Sequence, residues 1–291
     1  MHALVDAIAA QVLPTGGWSY AGSSRLAAEP TCLAILALQA AAARPDLVLA
    51  ARCALHTQQD SSGAVRGRDD LPEPRWTTAL AVLAWLPSTG ADEFAEPRRR
   101  AVDWLLRASG SAVKVNAPIR RHDTELVGWS WIDGTHSWLE PTAYAVLALR
   151  RCGLVDHPRT RQGVRLILDR GIPSGGWNYG NSEVLENELR PFAETTGIAL
   201  FALAGEPRAE PIDAAVRVLH ARLPDTRAPL ALGWGLLGLS AWSAAPSASA
   251  DWLAATAANL KEAEPDPLAA AVLLWAWTQV AAPVGVESAA P

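Results

Sequence analysis

The sequence predicts an all-α fold in which six inner and six outer helices close into a ring, an α/α toroid. The first observation behind this prediction is a recurring motif of a Gly-Trp turn, a glutamate and an Ala/Leu-rich helix. Its three copies are Gly17-Trp18 with Glu29, Gly128-Trp129 with Glu140, and Gly176-Trp177 with Glu194. The tryptophan and the glutamate are 11 residues apart in the first two copies and 17 apart in the third. Such recurrence is typical of helical repeat proteins.

The second observation is that six segments are apolar on all sides, which indicates helices buried inside the ring. These segments lie at about 30–43, 75–86, 141–151, 194–204, 229–243 and 267–280. Four of them begin near a proline, namely Pro30, Pro141, Pro229 and Pro267. Proline fits the first turn of a helix because the N–H that it lacks would have no partner within the helix.

The third observation is that amphipathic segments alternate with the apolar ones and carry arginines on one side, as in Arg98-Arg99-Arg100. They lie at about 46–58, 96–108, 158–170, 211–222 and 249–262, and residues 2–12 supply a sixth by pairing with the last inner helix. Amphipathic helices belong on the outside. A closed ring of six pairs also avoids the exposed ends of an open solenoid. We therefore expect a single domain over residues 1–281 and a loose tail at 282–291.

Composition limits the class of protein. Half of the 291 residues are hydrophobic, which suffices for one large core, and the net charge of −5 argues against nucleic-acid binding. The three cysteines, Cys32, Cys53 and Cys152, fit neither a disulfide framework nor a Cys-x-x-Cys metal site. The N-terminus lacks a signal-peptide pattern, and no apolar run reaches the roughly 18–20 residues of a spanning helix. We expect a cytoplasmic protein with no spanning membrane segment.

Several stretches resemble the glutamine-tryptophan repeat of squalene and hopene cyclases, which also occurs in protein prenyltransferase β subunits. They are Leu55-His56-Thr57-Gln58-Gln59-Asp60-Ser61-Ser62-Gly63, Ile8-Ala9-Ala10-Gln11 with Gly16-Gly17-Trp18, and Ile167-Leu168-Asp169-Arg170 with Gly175-Gly176-Trp177. The last of these lacks the glutamine. The resemblance covers nearly the whole chain and implies the α/α toroid of terpenoid cyclases and prenyltransferases. Because a fold does not determine a function, the activity must be argued from the site.

The resemblance also indicates where an acid would lie. In class II terpene cyclases the general acid is the middle aspartate of Asp-x-Asp-Asp-Thr-Ala, just before an inner helix. Here Trp138-Leu139-Glu140-Pro141-Thr142-Ala143 lies at a similar place, so that Glu140 takes the position of the acid. Trp138 and Pro141 replace the flanking aspartates, and Glu29 and Glu194 hold the same place in the other copies. Protonating an alkene requires a strong acid, and a lone glutamate lacks partners that would make its proton more acidic.

A structural role for the three glutamates is the alternative. A carboxylate at a helix N-terminus is stabilising by about 0.3–1 kcal/mol through the helix dipole. Recurrence at three places favours a scaffold, whereas glutamate is not a preferred N-cap residue. Both interpretations stay open at this point.

The densest group of candidate functional side chains lies between residues 120 and 144. It comprises Arg120, Arg121, His122, Asp123, Glu125, Trp129, Trp131, Asp133, His136, Trp138, Glu140 and Tyr144. The candidate catalytic residues are Glu140, Asp133 and His136, with Glu140 or Asp133 as the acid. The candidate substrate-binding residues are Trp131, Trp138, Tyr144, Glu29 and Glu194.

Aromatic faces in this group suit an electron-poor ligand, since each ring stabilises a cation by about 0.5–2 kcal/mol. Trp18, Trp129 and Trp177 recur at the turns and indicate packing. Trp131, Trp138 and His136 break the repeat and are the better functional candidates, although a histidine beside tryptophans is often structural.

Three functions are consistent with these patterns. The first is a terpenoid cyclase-like or prenyltransferase-like enzyme that handles an isoprenoid or other apolar ligand in a central cavity by carboxylate general-acid catalysis. The second is a non-catalytic toroid that binds a protein or lipid partner, and prenyltransferases suggest a partner subunit. The third is a carbohydrate-active toroid, in which Glu140 with Asp133 or Glu194 would lie about 5–5.5 Å or about 6.5–9.5 Å apart. No zinc-ligand motif or Mg²⁺-diphosphate motif is present, so we expect no metal and no cofactor.

Overall fold

The computed structural model describes residues 1–87, 92–112, 122–260 and 266–281, and its helices alternate between two layers. The inner helices are α2 (Ala28–Ala40), α4 (Thr78–Ala84), α6 (Leu139–Arg151), α8 (Ala193–Ala202), α10 (Pro229–Ser240) and α12 (Pro267–Ala281). The outer helices are α1 (His2–Ala9), α3 (Pro45–His56), α5 (Ala95–Arg107), α7 (Pro158–Asp169), α9 (Glu210–Arg222) and α11 (Ser249–Ala258). A short 3₁₀ turn, Leu223–Asp225, follows α9.

The inner helices form a closed ring. Each packs on the inner helices before and after it, and α12 packs on α2, which joins the last to the first. Every outer helix packs on an inner one, and α1 pairs with α12 as the sequence predicted. The α/α toroid of six inner and six outer helices is therefore confirmed for the described residues. The predicted tail at 282–291 lies outside them.

Two local differences from the sequence prediction have physical reasons. α4 begins at Thr78 rather than near residue 75, because the Thr78 N–H bonds to the Arg75 carbonyl at 3.0 Å and makes a tighter turn there. The connection between α7 and α8 contains an unpredicted hairpin of β1 (Glu183–Val184) and β2 (Asn187–Glu188), which pair antiparallel. This six-residue hairpin accounts for the longer Trp-to-Glu separation in the third repeat.

The repeated tryptophans hold each turn to the two helices that it joins. The indole N–H groups of Trp18, Trp129 and Trp177 donate to last-turn carbonyls of the preceding outer helices, at 2.7, 3.0 and 2.7 Å. Their backbone N–H groups donate to threonine hydroxyls of the following inner helices, at 2.9, 3.0 and 3.0 Å. All three rings are buried, which supports a packing role for them.

Glycine lets two inner helices approach closely. A Cβ atom added to Gly197 of α8 would overlap the main-chain carbonyl of Trp234 in α10, and one added to Gly238 would meet the main chain of Gly197. Any side chain here would force the two helices apart. None of the helices in the described part of the chain is long and apolar enough to cross a membrane.

Candidate active site at the mouth of the ring

The repeated threonines determine where the repeated glutamates point. Thr142 lies two residues after Glu140 and accepts a hydrogen bond from the turn on the outer side of α6. Two residues correspond to about 200° of rotation around a helix, so Glu140 faces the opposite side, toward the ring axis. The same holds for Glu29 with Thr31 and for Glu194 with Thr196.

We call the hydrogen bond from the turn to the threonine hydroxyl the clamp. A fourth copy of the clamp, without the Gly-Trp turn, lies ahead of α4. The Val65 N–H donates to the Thr78 hydroxyl at 2.9 Å, with the same 13-residue separation as Trp18 and Thr31. Trp76 therefore occupies the position that glutamate holds in the other copies. The three glutamates are the second residues of α2, α6 and α8. The second residues of α10 and α12 are Leu230 and Leu268.

We call the end of the ring that these six equivalent residues line the mouth. In order around the ring they are Glu29, Trp76, Glu140, Glu194, Leu230 and Leu268. Glu140 is buried and the other five are half-buried, as expected for side chains around one opening. Around the mouth, Trp76 thus lies between Glu29 and Glu140, Glu140 and Glu194 are direct neighbours, and the two leucines lie between Glu194 and Glu29.

Burial and mutual repulsion keep these carboxyl groups from ionising readily. Glu140 is 9% exposed, and burial raises its pKa to about 8, with the carboxyls of Glu194 and Glu29 adding to the rise. Burial also raises the pKa of Glu194. The pKa of Glu29 is raised by burial as well, although its hydrogen bond from the Tyr20 hydroxyl, at 2.5 Å, works against the rise.

Glu140 has no partner of its own. No described residue donates a hydrogen bond to its carboxyl group or forms an ion pair with it, whereas most buried polar groups in proteins are paired. Among residues 1–87, 92–112, 122–260 and 266–281, no three carboxyl, imidazole or thiol groups converge closely enough to hold a metal ion. The carboxyl group of Glu140 is thus available to a ligand.

Aromatic rings lie beneath the carboxyl groups. Tyr144 follows Glu140 by one helical turn, so it lies on the same face of α6 and deeper in the ring. Its ring centroid is 5.9 Å from that of Trp76, with the rings stacked, and 5.8 Å from that of Trp234. The ring centroid of Trp234 is 5.8 Å from that of Trp275, which in turn is 5.3 Å from that of Phe201. These rings occupy the middle of the inner ring and give the mouth an apolar floor.

The rim of the mouth is aromatic too. Tyr20, Trp131 and Tyr179 each follow a turn tryptophan by two residues, and Tyr20 and Tyr179 are 36% and 44% exposed. Trp131 meets Trp76 edge-on at 4.6 Å, and Tyr179 lies 5.3 Å from Phe192. Trp131 therefore occupies a repeat position, which corrects the expectation that it breaks the repeat.

Three predicted residues, Asp133, His136 and Trp138, make their contacts outside the group of three glutamates. Asp133 is exposed and binds Arg75 at 3.4 Å, and Arg75 also approaches Asp60 at 3.5 Å. His136 is exposed, packs against Trp138 with the ring centroids 4.2 Å apart and the rings tilted, and lines a separate surface cavity of about 310 Å³.

The predicted residues that the structure brings together at the mouth are Glu29, Glu140, Glu194, Tyr144 and Trp131. Arg120 and Arg121 lie outside the described residues. Trp76 and Trp234 were not identified from the sequence. For Trp76 a signal existed, namely the spacing of Val65 and Thr78, whereas Trp234 looks like any residue of an apolar helix.

No protein-family model matches this chain, and no curated protein matches its sequence. Solved structures match its fold. An alpha-amylase from Clostridium perfringens aligns with a TM-score of 0.69 at 10% identity, over 96% of this chain and 98% of the amylase. The type II terpene cyclase MstE from Scytonema, with its substrate geranylgeranyl dihydroxybenzoate, aligns with a TM-score of 0.63 at 14% identity, over 96% of this chain and 95% of the cyclase. The ent-copalyl diphosphate synthase from Streptomyces platensis aligns with 0.56 at 16% identity over 87% and 49%.

At these identities the likeness shows the fold alone. The fold that the resemblance to terpene cyclases implied, an α/α toroid, is confirmed, but an amylase shares the same fold. The chemistry therefore has to be argued from the residues of the mouth.

Proposed function

We propose that the mouth binds a ligand with an apolar body and that Glu140 exchanges a proton with the polar head of this ligand. One observation carries the proposal: a nine-tenths buried carboxyl group without a partner faces two other carboxyl groups above an aromatic floor. An isoprenoid chain would pack against Trp76 and Trp131, which are half-buried at the mouth. The substrate named for MstE likewise joins an apolar chain to a polar ring.

The acidity of Glu140 limits the chemistry. With a pKa of about 8, Glu140 is mostly protonated at neutral pH and can both give and take a proton. It is a weaker acid than an ordinary glutamate, so it is poorly suited to protonating an alkene in the way of class II cyclases. Proton exchange with an oxygen or nitrogen atom suits it better, because such atoms have pKa values closer to its own.

Incubation with linear isoprenoid alcohols and prenylated phenols, followed by mass spectrometry, tests this proposal. We expect the wild type to convert at least one member of the panel. Glu140→Gln is expected to lose about 10²–10⁴-fold in rate while still binding, which is the usual effect of removing a general acid or base. Glu210→Gln, at an exposed site on α9, is the matched control. Conversion that is equal in wild type and Glu140→Gln would contradict the role of Glu140, and binding without conversion would support a non-catalytic toroid.

Glycan hydrolysis is the second candidate. The observation in its favour is that the carboxyl group of Glu194 raises the pKa of Glu140 at the same opening, as the second carboxylate of a glycosidase does for the acid. Asp133, bound to Arg75, is a weaker candidate for that second carboxylate than Glu194. Release of reducing ends from α- and β-glucans, lost in both Glu140→Gln and Glu194→Gln, would favour this function over the first.

A further inference from the structure

The mouth holds three carboxyl groups that no described basic side chain neutralises. The carboxyls of Glu194 and Glu29 raise the pKa of Glu140, and Glu194 and Asp266 raise that of Glu29. In the part of the chain that the structure describes, no arginine lies close enough to shift the pKa of any of the three glutamates. Such a group of carboxyls favours a cation and repels phosphate or carboxylate heads.

The burial of Glu140 points to a ligand independently of this charge. Glu140 is 9% exposed and has no hydrogen-bond partner among the described residues, so its burial costs free energy, and this cost is largest when the carboxyl group is ionised. A partner that enters from outside would remove this cost. Because Glu140 faces the ring axis rather than the protein interior, that partner has to bind in the mouth.

The surfaces between the carboxyls suit an organic cation. The half-buried ring of Trp76 lies beside Glu140 at the mouth, and aromatic rings attract ammonium groups. Leu230 and Leu268 supply apolar contact on the other side of the mouth. Among the residues that the structure describes, the three carboxyls do not converge as the ligands of a metal ion do.

We propose that the ligand of the mouth is an alkylammonium compound, with its cationic nitrogen among Glu29, Glu140 and Glu194 and its chain on the apolar wall. This inference rests on the proposed function in placing the ligand at the mouth, and it adds the charge of the head. Binding of the cation is coupled to the release of one proton. The protonated Glu140 releases H⁺ to solvent, and the carboxylate that remains pairs with the ammonium group.

Other titratable groups around the mouth bear on this proton. They are Glu194 and Tyr179 near α8, Glu29 and Tyr20 near α2, Asp266 before α12, Tyr144 on α6 itself, and Arg75 before α4, which is bound by Asp60 and Asp133. Burial and the carboxyls raise the pKa of Tyr144 and Tyr179, so both stay neutral. The released proton therefore comes from a glutamate.

Titration calorimetry with three six-carbon probes tests the inference. Hexyltrimethylammonium is charged at every pH, 1-hexanol is neutral, and hexanoate is anionic. We expect the cation to bind at least about tenfold more tightly than the other two at pH 8. Its affinity should rise about tenfold from pH 6 to pH 7 and level off above about pH 8, because one linked proton changes affinity tenfold per pH unit. Measurements in two buffers at pH 7 should show close to one proton released.

Glutamate variants show which side chains bind the cation and which one releases the proton. Glu140→Gln should weaken cation binding at least about tenfold at pH 8 and abolish proton release, while hexanol binding and the Glu210→Gln control stay unchanged. Glu29→Gln and Glu194→Gln should each weaken cation binding as well, and they serve if Glu140→Gln does not fold. If hexanol binds as tightly as the cation, the ammonium inference is wrong and the proposed function stands. If none of the three probes binds, both are wrong.

Discussion

Replacement of Glu140 by glutamine is expected to stabilise the folded protein at neutral pH. Glutamine has nearly the same shape as protonated glutamate but does not ionise. The folded protein raises the pKa of Glu140 from 4.5 to about 8, so the folded state holds a proton that the unfolded state has released at pH 7. Stability therefore falls as the pH rises from about 4.5 to about 8, and it falls no further above that.

The size of the effect follows from the shift in pKa. Each unit corresponds to about 1.4 kcal/mol, so the full shift corresponds to about 5 kcal/mol above pH 8 and about 3 kcal/mol at pH 7. Below pH 4.5 both states hold the proton and the difference disappears. Glu140→Gln should remove this dependence and gain up to about 3 kcal/mol at pH 7.

Urea unfolding of the wild type and Glu140→Gln at half-unit steps from pH 4.5 to pH 9 measures the difference. The two free energies of unfolding should coincide at the acid end and diverge progressively up to about pH 8. Glu210→Gln, on the exposed face of an outer helix, should follow the wild type throughout. Parallel curves for the wild type and Glu140→Gln would refute the reasoning, because they would mean that Glu140 ionises in the folded state at no cost.

Three further substitutions test the scaffold and the mouth. Gly197→Ala should destabilise the protein by about 3 kcal/mol or more in urea unfolding, because its methyl group overlaps the main chain of α10. Trp177→Phe should cost about 2–4 kcal/mol in the same assay, since it removes the 2.7 Å bond to the Ile167 carbonyl at the end of α7 and leaves a cavity. Tyr20→Phe should raise the pKa of Glu29 further, as measured by NMR titration, because it removes the hydrogen bond that stabilises the carboxylate. An unchanged Glu29 titration would show that this bond is absent in solution.

The ring could be predicted because its signals are local and repeated. Each copy carries its own turn tryptophan, and the threonine 13 residues after Trp18 or Trp129 bonds to that turn. Helix periodicity then places the glutamate on the opposite face. The scaffold and the functional interpretations of the three glutamates are therefore compatible: the clamp is structural, and its consequence is three carboxyls around one opening.

The rest of the site depends on contacts between distant segments. Arg75 binds Asp133 across 58 residues of sequence, and nothing near Asp133 indicates this partner. Tyr144 meets Trp234 only because the ring brings α6 and α10 together. The density of titratable residues between 120 and 144 overstated the role of that segment, since His136 turns to a separate surface cavity.

Carbon-13 NMR of glutamate side-chain carboxyls, titrated from pH 4 to pH 10, tests the central claim most directly. We predict that one resonance titrates near pH 8 in the wild type and is absent from Glu140→Gln, as expected for a buried acid that is protonated at neutral pH. If every glutamate titrates below about pH 5, as exposed carboxyls do, Glu140 is ionised in the folded protein and the mouth is not a site of proton exchange.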